Sequence, residues 1–278
     1  MLFWLILILA IAFCFWFFIV RKSKVIKTGS LSLVTGGVKA GKSTVAVAMA
    51  IREYRSVLFG WYFVSFFCKL FHKPVPEKPL LYSNVPLKVK YGYVPLTEDL
   101  ILRDKRFRFK SVIYVNEASL LHDKDIYRNL PVSTQISLFN KLIGHSTHGG
   151  CVIYDTQCIG DLPVVVRRCI NNYQYVHHLV KWIPFVLIAY VREERYSEDG
   201  TNVNVNTGDV ENELKRVVLW KSVWKKFDCY CFSSFTDNLP VVDNLCKNPK
   251  TLKVKELVTF QSVYKKYLNK DGDPNEKA

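Results

Sequence analysis

Apolar positions fall into blocks of different length along this chain, and block length sorts the elements. Residues 1–20 carry no charge and no strong helix breaker. Twenty helical residues at about 1.5 Å each cover the ~30 Å of a bilayer core. Arg21, Lys22, Lys24 and Lys27 follow at once. A cleavable signal peptide would place its positive charge before the apolar run, and a buried core helix would show a polar face. The pattern therefore predicts a single-pass transmembrane anchor over 1–20 and a basic linker over 21–27. The N-terminus lies outside and the remainder in the cytoplasm, because positive flanks stay inside.

Shorter apolar runs bounded by small or polar residues read as buried strands of a parallel sheet. They occupy Gly29 to Thr35, Ser111 to Val115 and Gly149 to Ile153. Val45 to Arg52 has the Ala and Val content of a packed helix. A second apolar block, Ser56 to Cys68, holds thirteen residues between Arg55 and Lys69. It is too short to span a membrane, which leaves a core-packing helix or a segment lying against the membrane. Pro74, Pro76 and Pro79 then mark a loop. Val180 to Arg195 and Leu214 to Phe227 read as the arms of a long hairpin around a polar tip at 197–209. Beyond residue 236 the pattern predicts an irregular extension with one helix at Val258 to Leu268 and a disordered end from Asn269.

The order of these elements predicts an α/β fold with a mostly parallel sheet flanked by helices, right-handed crossovers and a C-terminal β-hairpin extension; the G-x-x-x-x-G-K-[ST] run from Gly36 to Thr44, between the first strand and helix, makes it a P-loop NTPase. The expected divisions are the anchor at 1–20, the linker at 21–27, a core at 28–180, a hairpin extension completing the core at 181–235, and a basic C-terminal extension at 236–278.

The chemistry starts at Gly36-Gly37-Val38-Lys39-Ala40-Gly41-Lys42-Ser43-Thr44, a full G-x-x-x-x-G-K-[ST] match between a strand and a helix. Glycines let backbone N–H groups turn inward around a phosphate, and the helix N-terminus adds its dipole. Lys42 reaches the β- and γ-phosphates, and the Ser43 hydroxyl ligates Mg²⁺. ATP and Mg²⁺ are the expected ligands. The second strand ends in Val115-Asn116-Glu117, where ligands sit in open α/β sheets. Glu117 is the candidate catalytic carboxylate, orienting or deprotonating the attacking water. Asn116 stands where an acid is usual, so it serves as a weakened magnesium group and hydrolysis is expected to be slow. The third strand ends in Asp155-Thr156-Gln157, with Gln157 and Thr156 as sensors of the γ-phosphate. Arg167 and Arg168 are either a trans-acting pair or a salt-bridged helix surface. His145 and His148 have no further ligand at metal-site spacing and read as loop residues.

Composition narrows the partners. Of 278 residues, 49% are hydrophobic and 23% charged, which excludes a disordered tail or a fibre. The net charge of +15 favours a polyanionic partner, either single-stranded DNA or an anionic membrane face. The run from Arg103 to Lys110 carries five basic residues with Phe107 and Phe109. It reads as a solvated loop entering the sheet or as a DNA grip with bases stacked on its aromatics. The eight cysteines form no C-x-x-C pair and read as mostly reduced and buried.

Several pieces in order resemble the zonular occludens toxin-like proteins, which include the filamentous-phage assembly ATPases, within the wider FtsK/HerA-like P-loop motors. These are the phosphate loop, Leu81-Tyr82-Ser83-Asn84-Val85-Pro86, Asn116-Glu117-Ala118, the stretch from His145 to Gln157, and Tyr230 to Phe235. The resemblance implies an ATPase of the host inner membrane that drives filamentous phage assembly and extrusion. It also implies phage coat or secretion proteins as partners and a homo-oligomeric ring. Family members carry their span after the core, whereas here the apolar run precedes it. A membrane-tethered DNA translocase or packaging motor, or a non-hydrolysing nucleotide-gated scaffold, are the alternatives.

Overall fold

The computed structural model describes residues 3–4, 13, 17, 23–85, 87–89, 92–96, 107–122, 130–147, 149–194 and 214–227. The expected anchor over 1–20 falls outside these apart from four positions. The hairpin tip at 197–209, the first half of the basic run from Arg103 (residues 103–106), Tyr230 to Phe235 and the extension from 236 lie outside them entirely. Among the described residues no helix is long and apolar enough to cross a membrane.

Eight strands form one sheet: β1 (Leu31–Gly36), β2 (Leu81–Ser83), β3 (Val94–Pro95), β4 (Val112–Val115), β5 (Cys151–Thr156), β6 (Asn172–Val180), β7 (Val186–Glu194) and β8 (Lys215–Trp220). Their spatial order is β3-β2-β4-β5-β1-β6-β7-β8. The first six in that order run parallel, and β6-β7 and β7-β8 pair antiparallel. β1, β2 and β4 are buried at every position, as strands covered on both faces must be.

Alternation along β1 divides the core. Val34 packs on one face with Val45, Val47 and Ala50 of α1 (Lys42–Leu70). Leu31 and Leu33 pack on the other with Ala118 of the short α2 (Ala118–Leu121), Ile136 and Phe139 of α3 (Leu130–Lys141), Ile143 of α4 (Ile143–Ser146) and Val166 of α5 (Val164–Cys169). The result is helix, sheet, helix, with one apolar cluster on each side.

Two expectations change. The helix after the phosphate loop does not stop at Arg52 but runs through the second apolar block to Leu70, because no proline interrupts it and Gly60 alone is too weak a breaker. Phe107 is 3% exposed and packs edge-on against Tyr82 at 5.0 Å, so it is a core residue with no face left for a base. The hairpin arms form β7 and β8, and β6 connects them to the parallel sheet alongside β1.

Candidate nucleotide site

β1 delivers the chain to the phosphate loop, and its close approach to β6 sets the loop's glycines. A Cβ on Gly36 would stand 2.7 Å from the Val176 carbonyl oxygen, which is backbone and has no freedom to retreat. Gly41 sits at φ 96° as the N-cap of α1, and a Cβ there would meet Leu179 at 2.9 Å. Both neighbours belong to β6, so β6 forms one wall of the loop. Ala40 N–H donates to the Gly37 carbonyl at 3.1 Å and Val45 N–H to Gly41 at 3.1 Å, closing the loop onto the first turn of α1. Thr44 is buried and its hydroxyl accepts from Trp224 Nε1 at 3.2 Å. Val38 and Lys39 are exposed at the crest.

The topology puts β5 between β1 and the acidic strand β4. In register, Val34 faces Asp155 and Thr35 faces Thr156 across β1 and β5. The β5 tip therefore lies between Lys42 and Glu117. Lys42 Nζ donates to Glu117 Oε2 at 2.8 Å and lies 3.7 Å from Asp155 Oδ1. The Lys42 and Glu117 side chains are only 12% and 16% exposed, and that of Asp155 is 0%. Glu117 Oε1 accepts from Ser119 Oγ at 3.2 Å, from Thr156 Oγ1 at 3.3 Å and from the Gln157 N–H at 3.3 Å. Glu117 itself has φ 52° and ψ 65°. A non-glycine residue held in the left-handed region is characteristic of a constrained functional position.

Asp155 is the residue that sequence reasoning missed as a site group. Its Oδ2 accepts from Tyr114 Oη at 2.9 Å and its Oδ1 from the Glu117 N–H at 2.7 Å, and the Ser43 hydroxyl is near enough to help lower its pKa. Burial raises its pKa; Lys42 and these donors oppose the rise without cancelling it. Tyr114 is raised well above the usual phenol range, by burial first and then by the Asp155 charge. A carboxyl this deeply buried, beside a phosphate-loop serine, has the chemistry to face a hard divalent cation.

Asn116 has other work. Its Oδ1 accepts from Tyr114 Oη at 3.1 Å. Its backbone is tied twice to Asn84: Asn116 N–H donates to Asn84 Oδ1 at 2.7 Å, and Asn84 Nδ2 donates to the Asn116 carbonyl at 2.8 Å. Asn84 is 2% exposed and locks the end of β2 to the tip of β4. The carboxylate beside Ser43 thus comes from β5. Asn116 reaches it only through Tyr114.

Among the described residues, no group of three or more His, Cys, Asp and Glu stands as a metal cluster. Magnesium needs no such cage, since it is commonly held by one or two carboxylates with substrate phosphates and water; Ser43, Asp155 and Glu117 fit that pattern. His145 is exposed on α4, and His148 lies outside the described residues. Arg167 and Arg168 sit in the last turn of α5, half-buried and exposed respectively. Gln157 is exposed and brings its backbone, not its side chain, to Glu117. The described cysteines Cys68, Cys151, Cys158 and Cys169 are free thiols, and Cys158 is exposed rather than buried.

No family model matches the sequence, and no curated protein matches it. Among solved structures, the chain is similar to the N-terminal domain of zonular occludens toxin from Neisseria meningitidis. The identity is 14%, with 72% of this chain and 100% of that chain covered at a TM-score of 0.40. It is also similar to the genome packaging NTPase of Sulfolobus turreted icosahedral virus 2 in complex with AMP, at 12% identity, 61% and 98% coverage and a TM-score of 0.31. A KaiC-like protein from Pyrococcus horikoshii matches at 12% identity, 70% and 91% coverage and a TM-score of 0.31. The geometry stands on its own: a glycine loop closing onto a helix N-terminus, its lysine facing two carboxylates, and a parallel sheet that presents them. This chain has the fold of a P-loop NTPase.

Proposed function

We propose that this protein is a membrane-anchored ATPase that drives assembly and extrusion of a filamentous phage at the host inner membrane. The observation that carries the ATPase reading is the junction of Lys42 with Glu117 and Asp155 beneath the phosphate loop. The phage-assembly part rests on the ordered set of zonular occludens toxin-like motifs, and the anchor on the uncharged run at 1–20 followed by basic residues.

The site divides the work among named atoms. Loop N–H groups around residues 37–43 bind the phosphates of ATP, and Lys42 takes the β,γ-bridging side. For that, Lys42 Nζ leaves Glu117 Oε2. Glu117 Oε1 stays fixed by Ser119, Thr156 and the Gln157 N–H. The released Oε2 then accepts a proton from the attacking water, which stands between it and the γ-phosphate. Mg²⁺, held by Ser43 and by Asp155 directly or through water, would neutralise charge on the β- and γ-oxygens. The slow turnover expected from Asn116 weakens as a prediction, because Asp155 supplies an acid beside Ser43. A ring of copies, with Arg167 or Arg168 reaching a neighbour's phosphate, belongs to the proposal.

The test is ATP turnover by the full chain with Mg²⁺, together with complementation of phage release. Lys42→Ala is expected to abolish both. ATP hydrolysis at the wild-type rate in that variant would overturn the ATPase reading. Turnover stimulated severalfold by DNA, with no defect in phage release, would favour the packaging motor instead.

A further inference from the structure

Only the first half of α1 is used by the sheet. At about 1.5 Å per residue its 29 residues reach roughly 43 Å, while the six residues of β1 cover about 20 Å. α1 starts at the phosphate loop and runs back against β1. Already at Arg52 the helix is beside Ile26, whose carbonyl accepts from the Arg52 guanidinium. The remaining turns therefore project past the end of the sheet opposite the nucleotide site. The chain enters the domain from residue 23 at that same end.

Those turns are apolar and open to solvent. Phe59 is 75% exposed, Phe63 61%, Phe66 63% and Leu70 58%, with Tyr62 at 48% and Phe67 at 39%. The spacing is i, i+3, i+4, i+7, i+8, i+11, which at about 100° per residue is one continuous stripe about 140° wide. The opposite side of the helix contacts its own returning chain: Ser65 is buried, and Trp61 Nε1 donates to the Pro76 carbonyl at 2.9 Å. A solvent-facing aromatic stripe is the reverse of the core-packing reading. It also exceeds the scattered exposed apolar residues normal for a soluble surface.

Charge identifies what covers it. Between Glu53 and Glu77 the chain contains no acidic residue, while Arg55, Lys69 and Lys73 border the stripe. Aromatic residues on one face with lysine and arginine at the edges is the composition of a helix lying in a lipid interface. Twelve residues are too few to cross a bilayer, and Lys69 at the far end keeps its ammonium in the headgroups only if the helix lies flat. In the sequence, the uncharged run at 1–20 and its basic flank directly precede residue 23.

We propose that residues Phe59–Leu70 of α1 lie flat in the interface of an anionic bilayer, with the phosphate loop at the other end of the same helix displaced along the membrane plane and clear of the contact. This goes beyond the nucleotide chemistry and requires none of it.

The test reconstitutes the full chain into vesicles of phosphatidylcholine with one-quarter phosphatidylglycerol, doped with a lipid carrying a diazirine on its acyl chain. After irradiation, adducts are mapped by mass spectrometry. Adducts on Phe59–Leu70 are expected. They should fall at least fivefold in Phe63→Ser/Phe66→Ser, whose nucleotide affinity stays that of wild type because both residues are exposed and far from Lys42. They should fall about threefold on phosphatidylcholine alone. Adducts confined to residues 1–20, or none anywhere, overturn the proposal. Equal labelling of the stripe on neutral vesicles overturns its anionic component. Cross-links between the stripes of two copies, in place of lipid adducts, would assign the surface to self-association.

Discussion

Glu117→Gln separates binding from chemistry in a direction that the geometry fixes. Before nucleotide arrives, the Lys42 ammonium is held by the Glu117 carboxylate at 2.8 Å, with both side chains largely out of water. A charge-assisted bond of this type contributes about 1.5–3 kcal/mol, and a neutral amide acceptor about 1 kcal/mol. Substitution therefore loosens the grip on Lys42 by about 0.5–2 kcal/mol. Asp155 at 3.7 Å still holds the ammonium, which limits the gain. ATP is expected to bind about 2–30-fold more tightly to the variant. Turnover should fall by about 10²–10⁴-fold, because the amide does not take a proton from water. Equilibrium titration with a fluorescent ATP analogue and single-turnover phosphate release measure the two quantities separately. Weaker ATP binding together with undiminished turnover would show that Glu117 is neither the brake on Lys42 nor the base.

Asn84→Ala removes both hydrogen bonds to the Asn116 backbone, and two buried groups left unmatched cost about 2–4 kcal/mol; chemical denaturation reads this directly, and an effect under 0.5 kcal/mol would refute the lock between β2 and β4. Gly41→Ala is expected to abolish nucleotide binding, since it strains a residue at φ 96° and drives a methyl group into Leu179; tight ATP binding by the variant would show that β6 yields. His122 is fully buried, and burial lowers its pKa from 6.5 to about 3. The unfolded chain therefore takes up a proton that the native state refuses. Stability attributable to His122 is complete above pH 6.5 and declines on acidification by about 1.4 kcal/mol per pH unit until the folded value near 3. Comparing wild type with His122→Leu between pH 7 and 4.5 isolates this slope, because Asp155, whose pKa is raised, contributes with the opposite sign in both proteins. Parallel curves for the two proteins would remove His122 as the cause.

The sequence displays the central strands because burial on both faces demands unbroken apolar runs, as in Val112–Val115 and in Cys151 to Tyr154 of β5. The phosphate loop is legible for a similar reason: its spacing is dictated by the phosphate it encircles. Asp155 is less visible. It stands among Tyr154, Thr156 and Gln157, and its importance arises only when β5 is seated between β1 and β4, a long-range fact that no local pattern encodes. The same holds for Asn84, whose partner is 32 residues away. The length of α1 is hidden for the converse reason. A block of thirteen apolar residues looks like a separate element, although nothing between Arg52 and Leu70 forces the helix to end.

Trp224 joins the final described turn to Thr44, and Val176 and Leu179 press on the two glycines of the loop. β6, and through it the antiparallel strands β7 and β8, thus bear directly on the phosphate loop rather than hanging beside it. A force applied at the far rim of those strands passes along stiff hydrogen-bonded ladders and arrives within one residue of Ser43. Strain placed on those strands would therefore reshape the loop at Gly36 and Gly41, and a change in the loop's shape would in turn be felt along them.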